Sequence, residues 1–199
     1  FEPEIVVAVD VASVQLYGEN NGMPQFSRHV DLCIDHHAGN SGYAEYTLLD
    51  GHAAAAAELL YDAICAMGGE LTAHMANSLY TGLSTDTGCF KFSSTTARTH
   101  IIAAKLMEAG ARVEELNTLL FDTKPRERME AERIARNHLE YHLDGRCALI
   151  YLTRDEIEQS KVDPAALAAL TGLPISIAGV KVGLTLRQQP GGRSRISVR

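Results

Sequence analysis

Three short segments of the chain carry acidic and histidine side chains of the kinds that bind metal ions. They contain Asp10, the run Asp35-His36-His37, and Asp86 in the sequence Ser-Thr-Asp-Thr-Gly. Imidazole together with carboxylate suits a transition metal such as manganese, whereas calcium and magnesium favour shells made of oxygen alone. A pair of such ions about 3.5–4 Å apart can bind a phosphoryl oxygen, generate hydroxide and stabilise the entering and leaving oxygens. The residue types therefore indicate metal-assisted chemistry on a phosphate compound.

Two of these segments end predicted strands. Residues 4–10 and 30–35 are short apolar runs rich in β-branched side chains, and they end in Asp10 and Asp35. Such runs suit strands buried on both faces, as in a parallel sheet. Taken alone, a strand-end Asp is more often a cap or turn residue, and a His-His pair is commonly a surface feature. Because ligands of open α/β sheets bind at the carboxyl ends of strands, we expect the segments to converge there.

Helices are predicted in the rest of the first half. An alanine-rich helix at 52–67 is stopped by Gly68-Gly69, and a second helix covers 72–81. A third helix has N-cap candidates at 93–96 and is closed by Gly110, and a fourth covers 113–121. The residues at 20–24 predict a turn between the first two strands.

The composition changes at Lys124-Pro125. Residues 126–142 are highly charged and favour a connector helix, and strand patterns follow at 147–152, 180–186 and 195–199, with a hairpin turn at 190–192. We predict an α/β protein with a doubly wound, mainly parallel sheet in a catalytic domain at 1–123, a linker helix at 124–144, and a second, incomplete α/β domain at 145–199.

The composition narrows the expected partners. The net charge of −7 argues against a broad, sequence-blind grip on long double-stranded nucleic acid. No apolar run approaches the ~20 residues needed to cross a bilayer, so no membrane partner is expected. Four scattered cysteines and the absence of a visible signal peptide favour a cytoplasmic protein with reduced thiols.

The three segments also resemble the motifs of a known family. The run Asp35-His36-His37 resembles the signature that names the DHH phosphoesterases. Residues 9–13 resemble the second motif of that family, and residues 84–90 resemble the fourth. The sequence from Ile34 through Asn40, Tyr43, Asp50 and Glu58 is similar to the bacterial subfamily of nano-RNases and phosphoadenosine-phosphate phosphatases.

The resemblance implies a role for each site residue. Asp10 would bridge two divalent cations, with Mn2+ preferred, while His36 would ligate one of them and Asp86 would ligate the other end of the site. His37 would lie close to the scissile phosphate and stabilise charge or donate a proton, and Asp35 would orient an imidazole. In the second domain, Arg199 resembles the start of an Arg-Ser motif that contacts substrate phosphate.

The match to the family pattern has two gaps. The first motif, a His followed by an Asp-x-Asp pair, and a downstream Gly-Gly-His-rich segment are absent from these 199 residues. We therefore expect a piece of a longer protein, truncated at both ends, that alone binds metal poorly and is inactive or nearly so.

The resemblance implies hydrolysis of short oligonucleotides or phosphoadenosine phosphate by metal-activated water, in the manner of a 3′-5′ oligoribonuclease or nucleotide phosphatase. The expected partner is such a short substrate, and a homodimer is left as an option. The alternatives are a cyclic-dinucleotide phosphodiesterase and a non-catalytic nucleotide-binding relative. An inorganic pyrophosphatase is disfavoured, because the Arg-bearing hairpin resembles a nucleotide-type C-terminal domain.

Overall fold

The computed structural model describes residues 3–17, 29–160, 162, 167 and 169–199. Its contacts divide the chain into two compact units, residues 1–123 and 124–199. The turn predicted at 20–24 lies outside the described residues. Among the described helices, none has both the length and the apolar character needed to cross a membrane.

A three-stranded parallel sheet organises the first unit. Its strands are β1 (Val7–Val9), β2 (Leu32–Asp35) and β3 (Tyr46–Leu49), in the order β1-β2-β3. Val9 is paired with Ile34, which is paired with Leu48. This register brings the carboxyl ends of all three strands to one edge, and Asp10 and Asp35 lie there.

The described residues of this unit also form a short 3-10 helix at Val14–Tyr17 and four α-helices: α1 (Ala56–Ala66), α2 (Ala73–Asp86), α3 (Ala97–Glu108) and α4 (Val113–Asn117), the last continued by a π-helical segment at Thr118–Asp122. Thr72 caps α2 through Met75 N–H, and Thr96 with Thr99 forms a capping box on α3. The helices share a core that includes Leu83 and Leu106, both fully buried. This core fixes the end of α2, which carries Asp86.

The second unit contains a four-stranded mixed sheet covered by a helix. Its elements are α5 (Arg126–Asn137), β4 (Leu139–His142), β5 (Cys147–Leu152), α6 (Arg154–Ser160), β6 (Val182–Gln188) and β7 (Ser194–Val198). The strand order is β4-β5-β6-β7, with β5 and β6 parallel and the outer pairs antiparallel. Ala131 and Ala135 are fully buried on α5 and pack in one cluster with Ile150 and Leu152. Their small side chains let the helix lie close to the sheet.

The predicted α/β fold class is confirmed, but several elements differ from expectation. The helix predicted to reach residue 142 ends at Asn137, because Leu139–His142 pairs with β5 as β4. Sequence reasoning also missed β3 and α6. In β4, pairing with β5 overrides the weak strand preference of a charged segment.

Glu132 gives the second unit an acid-sensitive contact. Its side chain is 9% exposed and lies 3.0 Å from Lys124 Nζ, 3.4 Å from Arg128 Nε and 3.7 Å from Arg136 Nη2. Burial alone would raise the pKa of Glu132, but the hydrogen bond and charge of Lys124, with Arg128, hold the pKa below its ordinary value of 4.5.

We predict that this carboxylate stabilises the second unit above about pH 4.5 and that its contribution is lost as the pH falls through the lowered pKa. Glu132→Gln should reduce the free energy of unfolding by about 1–3 kcal/mol at pH 7, and the difference from wild type should shrink in acid. Urea denaturation from pH 7 to pH 3 measures both effects. Glu127→Gln, at an exposed position of the same helix, is the control. A difference that does not vary with pH would contradict the prediction.

Candidate metal centre

Asp10 lies immediately after β1 with a left-handed backbone, φ 61°. Asp is one of the few residue types with a side chain that tolerates this region. The Asp10 amide donates to Ile34 O at 3.0 Å, which ties the residue to β2. The following loop is held through Val11 O, which accepts from the Tyr43 hydroxyl at 3.0 Å and from Asn40 Nδ2 at 3.4 Å. The turn thus presents the Asp10 carboxylate at the sheet edge.

Asp35, at the end of β2, is fully buried and saturated with hydrogen bonds. Its Oδ1 accepts from the backbone amides of His36 at 2.8 Å and His37 at 3.2 Å, and from His37 Nδ1 at 2.8 Å. Its Oδ2 accepts from Asn40 Nδ2 at 2.6 Å. Burial alone would raise the pKa of Asp35, but the hydrogen bonds from Asn40, His37 and His36 outweigh it and keep the pKa below its usual value. Asp35 is therefore ionised and orients His37.

His36 is oriented by the backbone instead. Its Nδ1 lies 3.1 Å from Ala53 O, and because a carbonyl oxygen only accepts, Nδ1 carries the proton. In the neutral ring, Nε2 is then left with a lone pair. This tautomer is the one that binds a metal through Nε2.

Asp86 is the last residue of α2 and is followed by an unusual turn. Gly88, Cys89 and Phe90 all have left-handed backbones, with φ of 55°, 58° and 61°. The fully buried Thr87 supports this turn, since its Oγ1 donates to Leu83 O at 2.7 Å and accepts from Phe90 N–H at 3.0 Å. Consecutive non-glycine residues in this region are uncommon and concentrate at functional sites.

These elements bring three separate segments together. His36 Nε2 lies 3.4 Å from Asp10 Oδ1 and 3.5 Å from Asp86 Oδ2. His37 Nδ1 lies 3.6 Å from Asp10 Oδ1, and ligand atoms of Asp10, His36 and His37 all fall within 4.8 Å of one another. Asp10, His36, His37 and Asp86 therefore share one small region at the carboxyl edge of the sheet.

The electrostatics of this region fit a cation. Burial raises the pKa of Asp86, and the negative charge of Asp10 raises it further, although His36 and His37 act in the opposite direction. Within the described residues, neither the Asp10 nor the Asp86 carboxylate accepts a hydrogen bond. Carboxylates and an imidazole lone pair facing one another without a donor between them match the donor set of a divalent transition metal.

The ring of His37 is held by a carboxylate, whereas the ring of His36 is held by a backbone carbonyl. The hydrogen bond to Asp35 raises its pKa above the ordinary value of 6.5, burial opposes this, and the charges of Asp35, Asp10 and Asp86 add to it. Because Asp35 holds Nδ1, only Nε2 of His37 is available to a ligand. His37 is thus suited to carry a proton at Nε2.

A second group of potential ligands lies at the opposite edge of the same sheet. His29 Nε2 is 3.0 Å from Asp31 Oδ1 and 3.8 Å from Glu45 Oε2. Asp31 and Glu45 precede β2 and β3, so they lie at the amino ends of the strands. Asp31 Oδ2 also accepts from Val6 N–H at 2.7 Å, which gives it a structural role in holding the start of β1.

Arg199 lies in the second unit, just after β7. Its backbone N–H and carbonyl both pair with Gly183 at 2.9 Å, and its role in substrate binding stays a prediction. Sequence reasoning missed the carbonyl of Ala53, the anchoring role of Thr87, and Asn117, which accepts from the Ser84 hydroxyl at 3.1 Å. Of these supporting residues, only Ser84 and Thr87 could be suspected from the sequence, because they are hydroxyl residues close to Asp86.

The chain is similar to known proteins over most of its length. No family model matches it. The bifunctional oligoribonuclease and PAP phosphatase NrnA of Thermus thermophilus is 29% identical over 166 residues, which are 83% of this chain and 49% of that protein. The protein of the same name from Bacillus subtilis is 24% identical over 151 residues, 74% of this chain and 48% of that protein. The chain thus spans about half the length of these curated relatives.

A solved structure shares the fold. The crystal structure of an exopolyphosphatase-related protein from Bacteroides fragilis matches with a TM-score of 0.87 and 23% identity, over 100% of this chain and 58% of that one. Together with the motifs around Asp10, Asp35-His36-His37 and Asp86, the similarity to these named relatives supports a phosphoesterase of the DHH type.

We predict that Asp35→Ala lowers the free energy of unfolding by about 2–4 kcal/mol, because four partly buried hydrogen bonds lose their acceptor. The control is Asp50→Ala. Asp50 directly follows the carboxyl end of β3, and its exposed carboxylate accepts one hydrogen bond, from His52 N–H at 2.9 Å. We expect Asp50→Ala to cost less than about 1 kcal/mol. Denaturant unfolding of both variants measures the difference, and equal losses would contradict the central role of Asp35.

Proposed function

We propose that the protein is a metal-dependent phosphoesterase that hydrolyses short oligonucleotides and phosphoadenosine phosphate. The proposal rests on the surroundings of His36 Nε2, which lies 3.4 Å from Asp10 Oδ1 and 3.5 Å from Asp86 Oδ2. The names of the relatives from Thermus thermophilus and Bacillus subtilis support the choice of substrate.

The proposed roles follow from the contacts. Asp10 lies beside both imidazoles, at 3.4 Å from His36 and 3.6 Å from His37, so it is the residue best placed to bridge two cations. His36 and Asp86 would supply one further ligand each. When bound, Mn2+ ions would polarise a phosphoryl oxygen and lower the pKa of water.

His37 and Asp35 would act on the substrate rather than on the metal. Asp35 fixes the His37 ring through Nδ1 at 2.8 Å, which leaves Nε2 to donate a proton or hydrogen bond to a phosphate or leaving oxygen. Arg199 would contact a substrate phosphate, and its planar fork suits that task.

The small number of ligand atoms at the site also indicates that these residues alone would bind metal ions weakly. Among the described residues, Asp10, His36 and Asp86 are three donors for two cations, and each cation usually takes at least four ligands. We therefore propose that further ligands are needed for full activity. Calorimetric titration of the 199-residue chain with Mn2+ should show weak binding and little hydrolysis of phosphoadenosine phosphate. Tight binding of two ions per chain would contradict this.

The enzymatic proposal is tested in the full-length protein with His36→Ala. Loss of a direct ligand should reduce hydrolysis of dinucleotides and phosphoadenosine phosphate by at least about a hundredfold, since indirect supports of a metal already cost 10–100-fold. The control is His74→Ala, exposed near the start of α2, about 18 Å along the helix from Asp86. Mn2+-dependent rates on a panel that adds cyclic dinucleotides and pyrophosphate measure both effects. Undiminished turnover in His36→Ala would refute the site, and faster hydrolysis of cyclic dinucleotides would favour that alternative.

A further inference from the structure

Glu58 is a buried carboxylate that the proposed mechanism does not use. It lies in the first turn of α1, with only 3% of its surface exposed. Its Oε1 accepts from the Thr99 hydroxyl at 2.6 Å, and its Oε2 accepts from the Ala54 amide at 3.4 Å. Within the described residues it makes no ion pair. A buried carboxylate with neutral donors alone around it is unfavourable compared with an exposed one, so its place in the core needs a reason.

The N-terminus of α1 explains part of this arrangement. A carboxylate in the first turn is favourable, because the N-terminal end of a helix carries a partial positive charge. In a capping box, the third helical residue bonds to the amide of the N-cap residue, which is Ala55 in α1. Glu58 is the third residue of α1, but its Oε2 bonds to Ala54, one residue earlier and outside the helix. The helix therefore accounts for the charge of Glu58 and leaves the direction of its Oε2 unexplained.

The bond to Ala54 connects Glu58 with the metal centre through one peptide unit. The Ala54 N–H and the Ala53 carbonyl belong to the same peptide plane, and the carbonyl oxygen lies 3.1 Å from His36 Nδ1. No peptide bond among the described residues is cis, so the N–H and the carbonyl point in opposite directions. Glu58 thus holds one side of this plane, and the other side holds the His36 ring.

Packing alone does not fix the orientation of this peptide plane. Ala53 lies in a small cluster with Ile34 and Leu59, and these apolar contacts position the segment. Apolar contacts are non-directional, whereas hydrogen bonds specify direction. Ala54 is 2% exposed, and in the part of the chain that the structure describes its N–H has no acceptor other than Glu58. Because a buried amide requires an acceptor, Glu58 determines which way the plane faces.

We propose that Glu58 is a positioning residue of the metal centre, which holds the Ala53–Ala54 peptide so that its carbonyl keeps the proton of His36 on Nδ1 and leaves Nε2 for a metal ion. Metal-binding histidines usually donate their other ring nitrogen to a carboxylate or a carbonyl, and here a carboxylate lies behind the carbonyl. Its hydrogen bond with the N–H polarises the peptide and makes the carbonyl a stronger acceptor. The inference rests on the proposed function for the metal ion, whereas the state of the His36 ring can be measured without one.

The first test uses Glu58→Gln, which keeps the shape of the side chain and replaces a charged acceptor with a weaker, neutral one. NMR spectra of the full-length protein, with isotope-labelled histidine and alanine and in the presence of a chelator, report the Ala54 N–H and the His36 Nδ1–H. We expect both proton resonances to move upfield, because both hydrogen bonds weaken together. The spectrum of His36→Ala identifies the His36 signal.

The second test uses Glu58→Met, which fills a similar volume and provides no oxygen acceptor. We expect His36 to populate partly the other neutral tautomer, with the proton on Nε2. The affinity of the full-length protein for Mn2+, measured by calorimetry, should fall about tenfold, at the lower end of the effect of losing an indirect support of a metal. Glu58→Gln should retain most of this affinity, because its amide oxygen still accepts from Ala54.

The control is Asp62→Ala. Asp62 lies one turn further along α1 and pairs with Arg98 of α3, so its carboxylate also links these two helices, but it bonds to neither residue of the peptide plane. It should change neither the His36 signals nor the Mn2+ affinity. An unmoved His36 Nδ1–H signal in Glu58→Gln would overturn the proposal, as would equal losses of Mn2+ affinity in Glu58→Met and Asp62→Ala. If Glu58→Met does not fold, the resonances of Glu58→Gln decide the outcome.

The same measurements separate this inference from the proposed function. A His36 signal that responds to Glu58→Gln, in a protein that hydrolyses neither dinucleotides nor phosphoadenosine phosphate with Mn2+, would remove the enzyme and leave the role of Glu58. Hydrolysis of these compounds by a protein with a His36 signal that is insensitive to Glu58→Gln would leave the enzyme and remove the role of Glu58.

Discussion

The site depends on a single buried carboxylate. Asp35 is excluded from solvent at the end of the central strand and accepts four hydrogen bonds from His36, His37 and Asn40. A buried charge is tolerated only where such partners surround it. The same bonds that keep Asp35 ionised bend the chain after β2, so that two imidazoles leave the strand in fixed directions. The Asp35 carboxylate thereby holds the turn that sets the directions of the His36 and His37 rings.

The surrounding fold brings the other two segments to that turn. Parallel pairing of β1 with β2 places Asp10 beside Asp35 at the same edge, and the Asp10 amide is anchored on Ile34 O. Asp86 arrives from a helix instead of a strand, and the left-handed turn after it is secured by Thr87 in the helical core. Left-handed backbone conformations therefore lie at Asp10 and directly after Asp86, and such conformations concentrate at functional sites.

Much of this arrangement could be predicted from the sequence. The strands at residues 7–9 and 32–35 follow from apolar runs that end in acids, and the helices α1 to α3 follow from an alanine-rich segment, N-cap residues and glycine stops. The gathering of Asp10, His36 and Asp86 was expected from the rule on strand ends together with the family resemblance. The backbone carbonyl that orients His36 could not be predicted, because Ala53 has no side chain that signals it. The strand at residues 139–142 was hidden by its charged composition, since only pairing with β5 makes it a strand.

The two histidines differ in what holds them, and this has a consequence for how the site can vary. His37 is oriented by a side chain, Asp35, whereas His36 is oriented by the carbonyl of Ala53. A substitution at position 35 can release one ring, but no substitution at position 53 removes the carbonyl that holds the other. Inherited variation can therefore change the orientation of the His37 ring more readily than it can change the direction of the lone pair on His36.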